Sequence, residues 1–162
     1  MMENSFSLKN VIKHDYISLL SFVCAIIMAV LLLQMYFIGF SFSRGSGLVF
    51  VPVEERFLYY CIFGGIGLIG LLCFISRINI IKGYFNSGIK VKGIISELMY
   101  WRDRGRITFK YNIEGKEYQK NIAIHTTKMT ASLGKNDEII VLVRPDNHSK
   151  AIIKDIFEIK NN

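Results

Sequence analysis

The sequence has little proline, tryptophan and cysteine, and it has no charge over two long stretches. Among 162 residues there are two prolines, one tryptophan and three cysteines. Cys24, Cys61 and Cys73 all lie within the uncharged stretches, so the polar part of the chain has no cysteine at all. This distribution excludes a disulfide framework and a zinc site built on paired cysteines, and we expect no metal and no cofactor.

No charged residue occurs from Tyr16 to Ser43 or from Phe57 to Ser76. A helix of about 20 apolar residues spans the roughly 30 Å hydrocarbon core of a bilayer. We therefore predict transmembrane helices at residues 16–43 and 57–76. A signal peptide is the alternative for the first stretch, but its apolar core would be only about 7–15 residues long.

The second stretch contains Gly65, Gly67 and Gly70 in the pattern G-x-G-x-x-G. A dinucleotide site would need a strand before these glycines, a helix opening on them and an acid about 20 residues later. Here they lie in the middle of an apolar run, and the next acidic residue is Glu97. The context therefore argues against nucleotide binding.

The same segment offers a surface for helix packing. Gly64, Gly67 and Gly70 recur at every third position, and Ser21 and Ala25 form part of a small-residue face on the first apolar stretch. Close backbone approach at small residues drives helix association in lipid. We predict an antiparallel helical hairpin joined at these faces; the alternative is that the glycines face lipid.

Basic residues are distributed unevenly around the two apolar stretches. Two precede the first stretch, two lie in the connecting loop, and four follow the second stretch: Lys9 and Lys13; Arg44 and Arg56; Arg77, Lys82, Lys90 and Lys92. Positive charge stays on the cytoplasmic side of a membrane. We predict a multi-pass protein of the plasma (inner) membrane with a cytoplasmic N-terminal segment at residues 1–15, an outer loop at 44–56 and a cytoplasmic C-terminus.

Residues 77–88 continue a helical pattern and end in the stop signal Asn86-Ser87-Gly88. Ile78, Ile81 and Phe85 fall on one face of this helix. We expect a juxtamembrane linker helix that lies along the inner membrane surface.

From residue 89 onward the apolar pattern has a period of two, which is typical of strands. Glu114-Gly115 predicts a two-residue turn that pairs Tyr111 with Tyr118 and Ile107 with Ile122. We place a bend or bulge at Gly93 and a last strand at residues 150–157. The predicted fold class is membrane α + β: a two-helix transmembrane hairpin followed by an antiparallel β barrel or sandwich of about five strands at residues 89–162.

Three segments of this β region, residues 93–95, 111–118 and 136–151, resemble the domain of unknown function 3592 family. The family pattern combines G-x-V, Y-x-V-x-G-x-x-Y and a G-D-x-V segment that continues to a Pro-Asn turn. This sequence departs from it by carrying Asn136, Val143, Arg144 and His148 where the pattern has Gly, Tyr, Asp and Pro. The resemblance implies one or two membrane helices beside a small β domain. The family has no assigned activity, so the resemblance supplies no catalytic residue.

The segment YWRDRGR places Trp101 beside Arg102, Arg104 and Arg106. A basic loop with an aromatic residue can bind anionic lipid headgroups or nucleic acid. It can also contact a protein partner, or be a solvated hairpin loop. We expect no nucleic acid here, because the loop belongs to a small domain tethered to a membrane.

No catalytic constellation is apparent, because the three histidines are far apart in the sequence and no cysteine lies near them outside the apolar stretches. We predict a non-enzymatic membrane protein whose β domain binds a protein partner, a second copy or the membrane surface, with no small-molecule substrate. Such a protein fits the role of an accessory subunit of a membrane complex. The alternatives are an immunity or stress-protection protein and, third, an enzyme.

Overall fold

The computed structural model describes residues 6–43 and 47–158, which divide into two compact units. The helical unit comprises residues 20–75, and the β unit joins the chain up to Leu19 with the chain from Ser76 onward. In chain order the elements are α1 (Leu8–His14), α2 (Tyr16–Phe37), β1 (Phe40–Ser43), β2 (Gly47–Phe50), α3 (Val53–Ser87), β3 (Ile89–Trp101), β4 (Arg104–Ile113), β5 (Lys116–His125), α4 (Lys128–Ala131), β6 (Glu138–Arg144), β7 (Asn147–Ile153) and α5 (Lys154–Phe157).

The β unit contains one antiparallel sheet with the strand order β5-β4-β3-β6-β7, which confirms the five predicted strands. The β4–β5 turn forms at Glu114 and Gly115, whose φ angles are 53° and 79°. Two left-handed residues match the right-handed twist of a hairpin. Tyr111 is opposite Tyr118, as the alternation predicts.

The sheet curls until its two edge strands approach each other, so it is nearly closed. The Tyr111 hydroxyl on β4 donates to the carbonyl of His148 on β7 at 2.6 Å. The rings of Tyr118 and His148 lie 6.2 Å apart, centroid to centroid. Burial, helped by Tyr118 and Tyr84, raises the pKa of Tyr111 to about 12, so this hydroxyl keeps its proton and acts as a donor.

The core of the β unit includes helical residues from both flanks of the chain. Val11 of α1, Ile81 and Phe85 of α3, and Phe157 of α5 are buried in the same cluster as the sheet interior. Ile81 and Phe85 lie on the face of the linker helix that the sequence analysis identified. In the structure this face packs against the interior of the sheet.

Two details of the strands differ from the sequence prediction. The bulge in β3 falls between Ile95 and Glu97, and the ladder is regular at Gly93. The last strand ends at Ile153, and residues 154–157 form one helical turn. Ile156 and Phe157 of this turn are both buried in the core of the β unit.

In the helical unit, α2 and α3 are long and apolar enough to span a bilayer, judged by length and composition. The first helix ends at Phe37, earlier than the predicted residue 43. Gly39 has a φ of 76°, and its amide and that of Ile38 both donate to the Gln34 carbonyl, which is a left-handed helix end. Residues 40–43 then pair with 47–50 as β1 and β2.

The described part of the predicted outer loop, residues 47–56, is mostly strand and helix. β2 ends at Phe50, and α3 begins at Val53 directly after Pro52. Arg56 donates from Nε to the Val51 carbonyl at 3.1 Å and stacks over the Phe50 ring. Arg44 and its neighbours through Ser46 lie outside the described residues.

Within the helical unit, α2 and α3 approach closely at Gly70. A Cβ placed on Gly70 would lie 3.3 Å from the Ser21 carbonyl oxygen and 3.7 Å from the Ala25 Cβ. One placed on Gly67 would lie 3.1 Å from the Met28 Cβ, whereas one on Gly64 would meet nothing within 4 Å. The close approach of the backbones therefore depends on Gly70 and Gly67.

We predict that Gly70→Leu lowers the stability of the detergent-solubilised protein by about 1–3 kcal/mol, because overpacking against backbone cannot be relieved by a side-chain rotation. Gly65→Leu is the matched control, since a Cβ at Gly65 meets nothing within 4 Å. Both changes bring the same gain in helix propensity. Thermal unfolding followed by circular dichroism measures the difference, and equal melting temperatures would contradict the packing.

Candidate functional site

The basic segment predicted from the sequence forms the tip of the β3–β4 hairpin, residues 99–106, called the hairpin tip below. β3 extends to Trp101 and β4 begins at Arg104, so only Arg102 and Asp103 form the turn. Arg102 has a φ of 54°, which a two-residue hairpin turn accommodates. The loop expected from the sequence is therefore mostly strand, which fixes where its side chains point.

One face of the hairpin tip is both basic and apolar. Trp101 is opposite Arg104, and Met99 is opposite Arg106, and directly opposed residues project to the same side of a sheet. The Trp101 side chain is 67% exposed and Met99 is 59% exposed. None of the ion pairs among the described residues involves an arginine of the tip. The face therefore presents positive charge and apolar surface together.

The opposite face of the hairpin tip is held in place by contacts of Tyr100. Tyr100 donates from its hydroxyl to the Thr130 carbonyl at 2.6 Å. Its ring passes across Gly105, where an added Cβ would lie only 2.8 Å from the Tyr100 Cδ1. Glycine is needed at that position because the ring occupies the space of a side chain. This anchorage leaves Trp101 and the arginines on the outer face.

The hairpin tip lies close to the point where α2 begins. Asp15, the residue before α2, forms a backbone bridge with Ile124 of β5. On the other side of β5, Ile124 pairs with Gly105 and His125 pairs with Arg104. Neighbouring strands are about 4.8 Å apart, so the tip lies on the order of 10 Å from the first residue of an apolar helix.

Asp15 is also the centre of a buried ionic cluster that sequence reasoning missed. Its carboxylate is 1% exposed and accepts from Arg77 Nη2 at 2.8 Å and Arg77 Nε at 3.1 Å. The Ser18 amide and hydroxyl donate to the same carboxylate at 2.9 and 2.7 Å. Asp15 thus caps the start of α2 and binds α3 at once. The sequence did contain a signal for this helix cap: an acidic residue three positions before a serine, at the start of an apolar run.

The charge of Asp15 acts on Arg77. Burial would lower the pKa of Arg77, but the hydrogen bond and the charge of Asp15 outweigh burial and raise it above its ordinary value. The guanidinium therefore stays charged. Because both partners are largely removed from water, each depends on the other for its solvation.

Next to this cluster, two histidines form hydrogen bonds between α1 and the end of β5 with the segment that follows it. Buried His14 contacts the Thr127 hydroxyl through Nδ1 at 2.9 Å, and His125 Nδ1 lies 3.2 Å from the Lys13 carbonyl. Burial, and then the charges of Lys13 and His125, lower the pKa of His14. His14 is therefore neutral at pH 7 and serves here as a hydrogen-bonding group. The third histidine, His148, lies at the edge of the sheet.

Among the described residues, no group of three or more histidine, cysteine, aspartate or glutamate side chains is arranged to hold a metal. A groove of about 610 Å³ is lined in part by Lys92 and Lys110, but these lysines pair with Glu138 and Glu117. The hairpin tip differs from this groove in bringing three arginines together beside exposed Trp101 and Met99.

Comparisons with protein-family models, curated proteins and solved structures found no match to this chain. The resemblance to the domain of unknown function 3592 family therefore stays a prediction. The class that the fold defines is a protein with two long apolar helices and a nearly closed five-stranded antiparallel sheet.

We predict that Asp15→Asn lowers the free energy of unfolding by about 2–3 kcal/mol, because it leaves the partly buried Arg77 without its counter-charge. Glu117→Gln is the matched control, since it removes an equally short ion pair, with Lys110, that is about half exposed. That change should cost at most about 1 kcal/mol. Chemical unfolding in detergent compares the two, and equal losses would show that the Asp15 cluster contributes no more than a surface pair.

Proposed function

We propose that the chain is a non-enzymatic integral membrane protein whose β unit docks on the anionic inner surface of the plasma membrane that holds it. In this proposal α2 and α3 span the bilayer, and both chain termini are cytoplasmic. The hairpin tip contacts lipid headgroups through Arg102, Arg104 and Arg106, and Trp101 enters the headgroup layer. The bound lipid is recognised by its negative charge.

The observation that carries this proposal is the position of the hairpin tip beside the start of α2. Asp15 bridges Ile124, and Ile124 pairs with Gly105 of the tip. If α2 enters a bilayer near Tyr16, the tip lies within about one Debye length, roughly 8–10 Å, of the headgroups. Each basic residue at an anionic surface contributes about 1 kcal/mol. Three arginines then orient the β unit without being its only anchor.

The side chains around the tip support an interfacial position. Tryptophan is enriched at membrane interfaces because its ring is apolar while its N–H is polar. Trp101 and Met99 are the two most exposed large apolar side chains described on β3. A solvated loop gains nothing from exposing both. A protein partner with an acidic surface would use the same face, and the experiment below separates the two.

The orientation is supported by the distribution of charge. The residues from Arg77 onward carry the whole of the net charge of +7, and moving them across the membrane is unfavourable. At the other end of α2 and α3, the exposed side chains are mostly aromatic or aliphatic: Tyr36, Phe37, Ile38, Phe50, Val53 and Phe57. A group of such side chains is suited to the opposite membrane interface.

We predict that a cysteine at position 54 reacts with a membrane-impermeant maleimide in intact cells, whereas one at position 149 reacts only after permeabilisation. Glu54 and Ser149 are both exposed, so a difference in labelling reports sidedness. The background needs Cys24, Cys61 and Cys73 replaced by alanine. The reverse pattern would overturn the orientation, and labelling of both positions in intact cells would overturn the membrane-spanning arrangement.

We predict that Trp101 emission shifts to shorter wavelength in anionic nanodiscs and not in neutral ones. Trp101 is the only tryptophan in the chain, so the full-length protein needs no added label. The shift should disappear in about 1 M salt, where the Debye length is about 3 Å. Arg102→Ser, Arg104→Ser and Arg106→Ser together should abolish it.

The matched control changes three exposed lysines far from the hairpin tip to serine: Lys90, Lys116 and Lys150. This control loses the same charge and should keep the Trp101 shift. A shift that is the same in neutral lipid, or that survives the arginine changes, would exclude headgroup binding by the tip. The tip would then be left as a solvated loop or a protein contact.

A further inference from the structure

The short helix α1 has two dissimilar faces. Val11 and His14 are buried against the β unit, at 0% and 2% exposure. Leu8 and Ile12 follow each other at a spacing of four on the outer side, as do Lys9 and Lys13, so that apolar and basic side chains form adjacent rows. This is the composition of a helix that lies at a membrane interface.

The outer face of α1 borders an apolar groove of about 650 Å³, called the α1 groove below. Leu8, Ile12 and Leu19 supply its aliphatic surface, and His125 and Thr127 close one side. Lys9 and Lys13 contribute their carbon chains, and a lysine in such a place keeps its ammonium group in water. Among the residues that the structure describes, no acidic one lines the groove. The volume is within the range of about 300–1,000 Å³ that small-molecule sites occupy.

We propose that the α1 groove binds one anionic phospholipid, with an acyl chain along Leu8, Ile12 and Leu19 and the phosphate at Lys9 and Lys13. This inference rests on the proposed membrane location, and it adds a discrete, stoichiometric site to the diffuse contact of the hairpin tip. Two features of the groove select this occupant. It combines an aliphatic floor with cationic rims, which matches the division of a phospholipid into chain and headgroup.

The second feature is continuity with α2. Leu19 belongs to the first turns of α2, the helix that enters the bilayer in the proposed function, so the groove opens at the depth of the headgroups. A lipid can therefore move laterally into the groove without leaving the bilayer. Thr127, which lines the groove, also holds His14 and caps α4, so the wall of the groove is fixed before lipid arrives.

The test is native mass spectrometry of the full-length protein, delipidated in mild detergent and titrated with phosphatidylglycerol or phosphatidylcholine. We expect one phosphatidylglycerol per chain to bind with saturation and phosphatidylcholine to bind at least tenfold more weakly. Lys9→Ser with Lys13→Ser should weaken phosphatidylglycerol binding at least tenfold. The matched control, Lys90→Ser with Lys150→Ser, loses the same charge and should bind as the parent does.

A second variant, Ile12→Gln, keeps both lysines and removes part of the aliphatic floor. It should also weaken binding, and circular dichroism checks that it is folded. Binding that is unchanged in Ile12→Gln, equal for both lipids, or unaffected by the Lys9 and Lys13 changes overturns the proposal. A dimer peak that those same changes abolish would assign the groove to a second copy, and would overturn it too.

The two proposals fail separately. The groove variants leave the three tip arginines in place, so the Trp101 shift in anionic nanodiscs should persist in them. A retained Trp101 shift without a stoichiometric lipid overturns the groove alone. A stoichiometric lipid without a Trp101 shift overturns the surface contact of the tip alone.

Discussion

The ion pair between Asp15 and Arg77 is the contact on which the arrangement of the β unit depends. It joins residues 62 positions apart and fixes the start of α2 to the part of α3 that follows its apolar stretch. A carboxylate at 1% exposure is unfavourable unless every oxygen is satisfied. Here four donor contacts, two from Arg77 and two from Ser18, solvate it. Because the buried carboxylate needs these contacts, they restrict where the start of α2 and the Arg77 turn of α3 can lie.

That constraint passes to the sheet through the backbone of Asp15. Its bridge to Ile124 aligns β5 with the beginning of α2, and the β4–β5 register then sets the level of the hairpin tip. The position of Trp101 and the arginines is therefore a result of strand pairing. In the proposed docking, electrostatic attraction acts on groups that are already in place, so the β unit would lose little conformational freedom on contact with the membrane.

Local patterns predict much of this fold. The alternation of apolar and polar residues around Glu114-Gly115 predicts the β4–β5 register. The absence of charged residues over two long stretches predicts α2 and α3. These features depend on neighbours within about ten residues, where side-chain period and turn chemistry decide the outcome. The early end of α2 was also locally encoded, by Gly39, although the apolar run that continues past it conceals the signal.

Long-range features could not be predicted in the same way. The segment before Asp15 reads as a polar flank, yet Val11 is fully buried in the β core. Nothing local to α1 indicates which surface it covers, since a short helix with three apolar residues, Leu8, Val11 and Ile12, fits many surfaces. The composition of the hairpin tip is visible in the sequence, whereas its place beside α2 depends on the pairing of Asp15 with Ile124.

The contributions of both flanks to one core have a consequence for biosynthesis. Val11 emerges from the ribosome first, but its neighbour in the core, Phe157, is among the later residues made. At about 5–20 residues per second, the N-terminal segment waits on the order of ten seconds for its partners. The apolar helices are synthesised within that interval. The β unit therefore completes its core after α2 and α3 have been made. In the proposed membrane arrangement, this places helix insertion before domain closure.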